Sequence, residues 1–244
     1  MTNTSTCGAR IGRNINMPHF LKFLLCLALF TPPFIFAAPV LGKLTLDVSA
    51  EKKQGSIRVK NTDPYPVLLY SSTEYVPDSE AKNFLVPTQP VLRLEAGEEK
   101  DVRFVLLLKE PPQQELYGRA LFEAIPASKD NAVVVNIKQS IPAIVRIADA
   151  GSSQRRWEAL EWRTTSDKSM TVRNPSKSVI RMASIISLTP GGKTLDLKKS
   201  YILPGQSLSL PLPTANQGMP TQVKITPIAD DGTAMPPHVF KVQN

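Results

Sequence analysis

The sequence predicts an all-β chain of two related sandwich domains behind a secretory leader. Three observations carry this. Apolar and polar residues alternate along short segments. Turn signals punctuate those segments, with 22 prolines in 244 residues. Two landmarks of the first half recur in order in the second. No segment beyond the leader sustains a 3.6-residue apolar period, so helical layers are not expected.

The leader comes first. Arg10, Arg13 and Lys22 supply positive charge, and 23–38 is almost wholly apolar, ending in the small residues Ala37 and Ala38. These are the basic, apolar and small-residue parts of a signal peptide. Met17 is a second candidate start, because 17–37 alone has ordinary signal proportions. Cleavage is expected after Ala37, since a cut after Ala38 would leave Pro39 just past the scissile bond. The apolar stretch is short for a bilayer span and is broken by Pro32 and Pro33, which argues against a retained anchor.

Both cysteines, Cys7 and Cys26, lie in the leader, as does His19. The expected mature chain therefore has no disulfide, thiol nucleophile or cysteine metal site. His238, beside Pro236 and Pro237, is the one histidine left. His238 reads as a solvated loop residue rather than the base of a Ser–His pair, one histidine cannot build a multi-histidine zinc site, and no glycine-rich phosphate loop or paired acidic motif occurs. No enzyme, cofactor, metal or small-molecule substrate is expected. The formal charge of +8 loses the three leader cations, leaving about +5. That suits an anionic groove or partner and lacks the clustering of a nucleic-acid binder.

Ile57 and Val59 alternate with Ser56, Arg58 and Lys60 and stop at Asn61-Thr62-Asp63-Pro64. Leu44, Leu46 and Val48 alternate with Lys43, Thr45 and Asp47, and Val102, Phe104 and Leu106 follow the turn at Ala96-Gly97. Each reads as a strand with one buried face. Ser56-Ile57-Arg58-Val59-Lys60-Asn61 is echoed by Met170-Thr171-Val172-Arg173-Asn174, 113 residues on at the asparagine. Leu92-Arg93-Leu94-Glu95-Ala96-Gly97 is echoed by Tyr201-Ile202-Leu203-Pro204-Gly205, 108 residues on at the glycine. Landmarks repeating in order at such spacing imply two domains, each near the size of an immunoglobulin sandwich. The small polar stretch Asp149-Ala150-Gly151-Ser152-Ser153 suits a linker. The expected division is 1–37 leader, 38–149 first domain and 150–244 second domain.

Residues 131–147 are unusual. Val133, Val135 and Ile137 share one side of an extended strand, continued by Ile141, Ala143 and Val145 if the register holds through Pro142. Val134, Asn136 and Lys138 take the other side, where Val134 is expected to pack on the domain's own core. The segment is long for a strand. It reads either as an ordinary core strand or as one left at an edge and offered to a partner by β-augmentation.

Further stretches in order are Phe84-Leu85-Val86-Pro87-Thr88-Gln89-Pro90, Val102-Arg103-Phe104, Leu116-Tyr117-Gly118-Arg119-Ala120-Leu121-Phe122-Glu123-Ala124-Ile125-Pro126 and Ser140-Ile141-Pro142-Ala143-Ile144-Val145-Arg146. With the two echoed landmarks, they resemble the PapD-like periplasmic chaperones of chaperone–usher pili, across essentially the whole mature chain. The resemblance implies two immunoglobulin-like β-sandwich domains, a periplasmic location and pilin or fimbrial subunits as partners. It also implies that the last strand of the first domain completes a subunit lacking its own final strand, with Val133, Val135 and Ile137 as donors. Delivery to an outer-membrane usher follows. The open edge also leaves room for a self-capping dimer.

One feature departs from the family pattern. Its best-known members hold the subunit's terminal carboxylate with an Arg in the first strand and a Lys in the donor strand. Here the donor-strand position is Pro142, and Lys43 is the nearest basic residue of the first strand. Arg119 is the first candidate anchor, with Arg146 and Lys43 behind it. A guanidinium binds carboxylate through two parallel hydrogen bonds and stays charged. Arg119 as a structural partner of Glu123 or of an interdomain carboxylate is the competing assignment. A secreted immunoglobulin-like surface binding or adhesin module is the alternative reading for the whole chain.

Overall fold

The computed structural model describes residues 35–37, 39–79, 81–126, 134–148, 155–166, 169–212 and 219–243. The leader through residue 34, Ala38, Val133 and the expected boundary at Asp149 and Ala150 lie outside the described residues. The described chain is strand and turn, with one 3-10 turn at Arg156–Ala159.

The first half contributes β1 (Ile35–Ala37), β2 (Val40–Leu41), β3 (Leu46–Ser49), β4 (Gln54–Lys60), β5 (Val67–Tyr75), β6 (Leu85–Pro87), β7 (Val91–Leu94), β8 (Glu99–Leu106), β9 (Leu116–Pro126), β10 (Val134–Asn136) and β11 (Lys138–Arg146). One nine-stranded sheet runs β6-β8-β4-β3-β11-β9-β5-β7, with β2 on β4, while β1 and β10 form a separate two-stranded ladder. The long sheet folds over so that its two halves face each other. Phe104 of β8 and Phe122 of β9 meet edge to face, 5.9 Å apart, in the core between them. Strand β3 makes the crossing. It touches β4 antiparallel at Ser49 and runs parallel to β11 over the pairs Ala143↔Leu46 to Arg146↔Ser49. A Cβ at Gly55 would collide with the Asp47 carbonyl there, so the close approach needs glycine.

The alternation read from the sequence becomes burial. Ile57, Val59, Val102, Phe104 and Leu106 are core, while Arg58, Lys60, Asp101 and Arg103 face water. Each buried side chain contributes roughly 1.5–3 kcal/mol. The pattern fails at Leu44 and Thr45. Leu44 is 57% exposed, Thr45 is buried, and β3 begins only at Leu46. The second sandwich causes this. Its Gly232 packs on the Leu44 side chain, and its Arg181 reaches the Thr45 hydroxyl.

The second half contributes β12 (Glu161–Ser166), β13 (Ser169–Arg173), β14 (Ile180–Arg181), β15 (Ile185–Thr189), β16 (Thr194–Asp196), β17 (Tyr201–Ile202), β18 (Ser207–Pro211), β19 (Gln222–Ile225) and β20 (His238–Lys241). Sheets β12-β13-β18 and β16-β15-β19-β20, with the β14–β17 pair, enclose a core around Trp162, Met170, Val172, Ile202, Val223 and Ile225.

The two echoed landmarks are one structural device used twice. The Asn61 amide donates to the carbonyls of Tyr65, Leu94 and Glu95, and its oxygen accepts the Asp63 N–H. The Asn174 amide donates to Ser178, Ile202 and Leu203, and its oxygen accepts the Ser176 N–H. In each half a buried asparagine ties the turn after one strand to the end of another, just before a glycine with positive φ (Gly97 and Gly205). Buried carbonyls left without donors cost about 1–3 kcal/mol each. Asn174→Ala is therefore expected to destabilise the fold by roughly 2–4 kcal/mol. Asn174→Asp should cost more, because a carboxylate cannot donate to three carbonyls. Urea unfolding of the two variants beside the parent checks both; a loss near zero would mean that the tie is dispensable.

Candidate functional site

The candidate edge belongs to β11. On one side this strand pairs with β9 from Lys138↔Glu123 to Val145↔Leu116. On the other, its ladder with β3 covers only residues 143–146. Toward that side the stretch 138–142 extends past the end of β3. The odd-numbered face of β11 carries Ile141, Ala143 and Val145 into the first core, while Lys138 and Ser140 on the even-numbered face are exposed. The core thus lies on the odd-numbered side of β11, opposite to the placement expected from Val134. Ile137, between β10 and β11, is half-buried and has the parity of the core residues. Val135 lies in β10, and Val133 falls outside the described residues.

The two sandwiches meet in a cleft built on a buried acid. Glu115, just before β9, has a side chain 0% exposed and accepts the Val179 N–H of the second sandwich at 2.8 Å. Arg156, from the 3-10 turn, lies 3.0 Å away, and Arg146, at the end of β11, lies 3.3 Å away. Arg146 also holds Asp47 of β3 at 2.8 Å and Asp230 of the second sandwich at 2.6 Å. Burial works against the Arg146 charge, yet Glu115, Asp47 and Asp230 together raise its pKa. Apolar packing backs the ion network. Val76, Tyr117 and Ile144 of the first sandwich cluster with Val179, beside Tyr201 and Leu203, and the Tyr117 and Tyr201 rings stack at 4.4 Å. Burial pushes the Tyr201 phenol up to about 12. Lys199 and Gln206 both reach Asp78 at another point of contact, and the Lys199 bond holds the Asp78 carboxyl below its usual range.

The predicted basic residues separate. Arg119 stands on β9 directly opposite Pro142, its Nε donating to Ser140 Oγ at 2.6 Å and its Nη2 to the Ser140 carbonyl at 2.7 Å. Arg146 is held in the ion network just described. Lys43 is exposed and shares an open groove with Gly42, Ser56, Arg58 and Asp101, by the outer face of β4 and β8. Sequence reasoning missed Arg181 of β14. Its Nη1 donates to the Thr45 hydroxyl at 2.7 Å rather than to a carboxylate, and burial lowers its pKa. Burial pushes the Tyr117 phenol up, and the charges of Arg119 and Arg181 pull against that shift. These two cations therefore act on one tyrosine from different sandwiches. The apolar flanks Val179-Ile180 and Met182 were the available sign that Arg181 is not a surface cation. Among the described residues, no group of three or more His, Cys, Asp or Glu could hold a metal, and no helix is long and apolar enough to cross a membrane.

The structure thus joins two β-sandwiches at a built cleft, with a strand left partly unpaired beside it. Residues 39–148 match the family described as the PapD N-terminal domain of pili and flagellar-assembly chaperones. Residues 155–239 match the PapD C-terminal domain of pili-assembly chaperones. The chain belongs to this family and is a fimbrial chaperone of the PapD type, a class whose work is not enzymatic. It is 37% identical over 187 residues to the uncharacterised fimbrial chaperone YhcA of Escherichia coli K12, covering 76% of this chain and 82% of that one. Solved structures share its fold. In the complex of the Salmonella enterica SafA pilin with the SafB chaperone, the match has a TM-score of 0.68 at 21% identity, over 86% of this chain and 98% of that one. The E. coli chaperone DraB matches with a TM-score of 0.68 at 21% identity, over 86% and 99% of the two chains. In the CsuC–CsuE complex from archaic Csu pili of Acinetobacter baumannii, the TM-score is 0.57 at 15% identity, over 85% and 99%.

Proposed function

We propose that the chain, cut after Ala37 and divided into domains at 38–149 and 150–244, works in the periplasm. There it captures pilus subunits by donor-strand complementation and hands them to an outer-membrane usher. The observation that carries this reading is β11, whose core face continues toward Ile137 while the side facing β3 is paired only at 143–146. A subunit strand laid there would gain a backbone ladder and pockets filled by Val133, Val135 and Ile137. Removal of the leader would also take away β1, which ladders with β10 in the uncut chain. Complexes with pilins and tip subunits among the structural relatives support subunits as the partner class. Co-purification from periplasm tests the reading. One fimbrial subunit should run one-to-one with the chain; recovery of the chain alone from cells expressing the pilus would sink it.

Arg119 is the proposed anchor for the subunit's terminal carboxylate, with Arg181 of the second sandwich acting on the same neighbour, Tyr117. Arg146 is assigned instead to locking the sandwiches together. Arg119→Ala is expected to weaken capture by ~3–5 kcal/mol, the usual loss when one partner of a desolvated charge pair is removed. Thermal stability should stay close to the parent's. A melt that drops as far as capture does would make Arg119 structural.

The usher step is supported by a second surface. Leu68 and Tyr70 of β5, Val91 of β7 and Ile125 of β9 are large, apolar and exposed. Cross-strand register places Leu68 beside Ile125 and Tyr70 beside Val91, making one patch on the outer face. Contiguous exposed apolar groups mark interaction sites. Leu68→Glu should reduce association of the loaded chaperone with the usher at least tenfold and leave subunit capture unchanged. Quantitative pull-down on the usher's periplasmic part gives the comparison.

A further inference from the structure

Arg119 holds the one residue that an incoming strand would need first. Ser140 lies on the even-numbered set of β11. The Arg146 carbonyl, of the same set, accepts from Ala50 at the end of β3, so even-numbered carbonyls of β11 face the β3 side. Pro142 belongs to the same set, and a residue without an N–H is tolerated where its missing donor meets an unpaired edge. The Ser140 carbonyl therefore points toward the open side. Arg119, from the neighbouring strand, reaches it over the outer face of the sheet.

The two donors in use are Nε and Nη2, on Ser140 Oγ and the Ser140 carbonyl. These two adjacent N–H groups form one edge of the guanidinium fork, which a carboxylate takes with two parallel hydrogen bonds. Both bonds to Ser140 cannot coexist with a bidentate carboxylate on that edge.

We infer that the Arg119–Ser140 pair is a latch, resting on the donor-strand reading above. In the free chaperone it caps the Ser140 carbonyl and shields an edge that would otherwise invite pairing. Arrival of a subunit's terminal carboxylate takes the fork, and the Ser140 carbonyl passes to an N–H of the subunit strand. Capture of the chain end and opening of the edge become one event. A strand with no carboxylate in the cleft finds Ser140 occupied, which favours correctly seated subunits over stray strands.

The test uses the mature chain and the fimbrial subunit that co-purifies with it, stripped in denaturant and refolded onto the chaperone. The subunit is prepared with a free carboxylate and, by semisynthesis, with a C-terminal amide. Ser140→Ala removes one latch bond and leaves the carbonyl. It should tighten capture of the acid form roughly two- to tenfold, the range of one net hydrogen bond, and leave the amide form unchanged. Arg119→Lys keeps the charge but loses the fork, so the preference for acid over amide should fall toward one. If Ser140→Ala binds the acid form as the parent does or more weakly, the latch is wrong while donor-strand capture stands. If the parent captures neither form, the donor-strand reading fails and the latch with it.

Discussion

Glu115→Ala is expected to cost roughly 3–5 kcal/mol of folding stability, the penalty for breaking a buried charge network by removing one member. The loss should fall on the joint between the sandwiches. The Glu115 carboxylate is fully buried and holds Arg146, Arg156 and the Val179 N–H. Its removal leaves two guanidinium groups crowded beside Asp47 and Asp230, and one buried N–H without an acceptor. Glu115→Gln keeps the acceptor for Val179 but not the charge, and should fall between alanine and the parent. The exposed pairs Arg58–Asp101 and Lys60–Glu99 are a built-in contrast, because surface ion pairs contribute little. Asp101→Asn should leave stability near the parent's. Urea unfolding, with hydrogen exchange at Val179 and at Tyr117, separates opening of the joint from melting of either core. A Glu115→Ala chain within about 1 kcal/mol of the parent would mean that the apolar cluster around Tyr117 and Val179 holds the joint alone.

What the sequence revealed was local. Strands β4 and β8 were legible because burial in a strand follows a period of two, which needs no knowledge of the partner strand. The paired echoes around Asn61 and Asn174 were legible as a repeat. Their meaning was not, because each asparagine works through carbonyls 28 to 34 residues away. The cleft was least legible. Glu115 meets Val179 across 64 residues and Arg181 meets Thr45 across 136. Nothing near Glu115 in the chain distinguishes it from a solvated acid at the start of a strand. Leu44 and Thr45 show the same limit from the other side. Their alternation was sound as a pattern, and contacts from the second sandwich overrode it. Arg119 was picked out through the resemblance, as the arginine of the Leu116–Pro126 stretch, whereas its place opposite Pro142 and its two bonds to Ser140 depend on strand register and on where the edge of β11 is left open.

The second large effect contrasts two isoleucines four residues apart on one face of the same segment. Ile141 is buried in the first core and pairs with Ala120 of β9. Ile137 has the same parity and is half-buried, beyond the last β9 partner of β11 at Lys138. A charge at either site faces the same chemistry, since an unpaired carboxylate in an apolar setting costs far more than the side chain it replaces contributed. The settings differ in which state is apolar. At 141 the site is dry in the free chaperone, so Ile141→Asp should unfold the first sandwich or lower its stability by several kcal/mol. At 137 the proposed dry site forms only when a subunit strand arrives. Ile137→Asp should therefore melt near the parent's temperature and lose capture at least a hundredfold, which is about 2.8 kcal/mol. Val135→Asp should behave like Ile137→Asp, as the next residue of the same parity toward β10. Thermal melts of the purified variants beside subunit co-purification give both readings on the same samples. If Ile137→Asp unfolds the free chain, the first core extends further along the segment than the half-burial of Ile137 indicates. If it folds and still captures subunits normally, the donor face is not the odd-numbered one, and the proposed role of this strand falls.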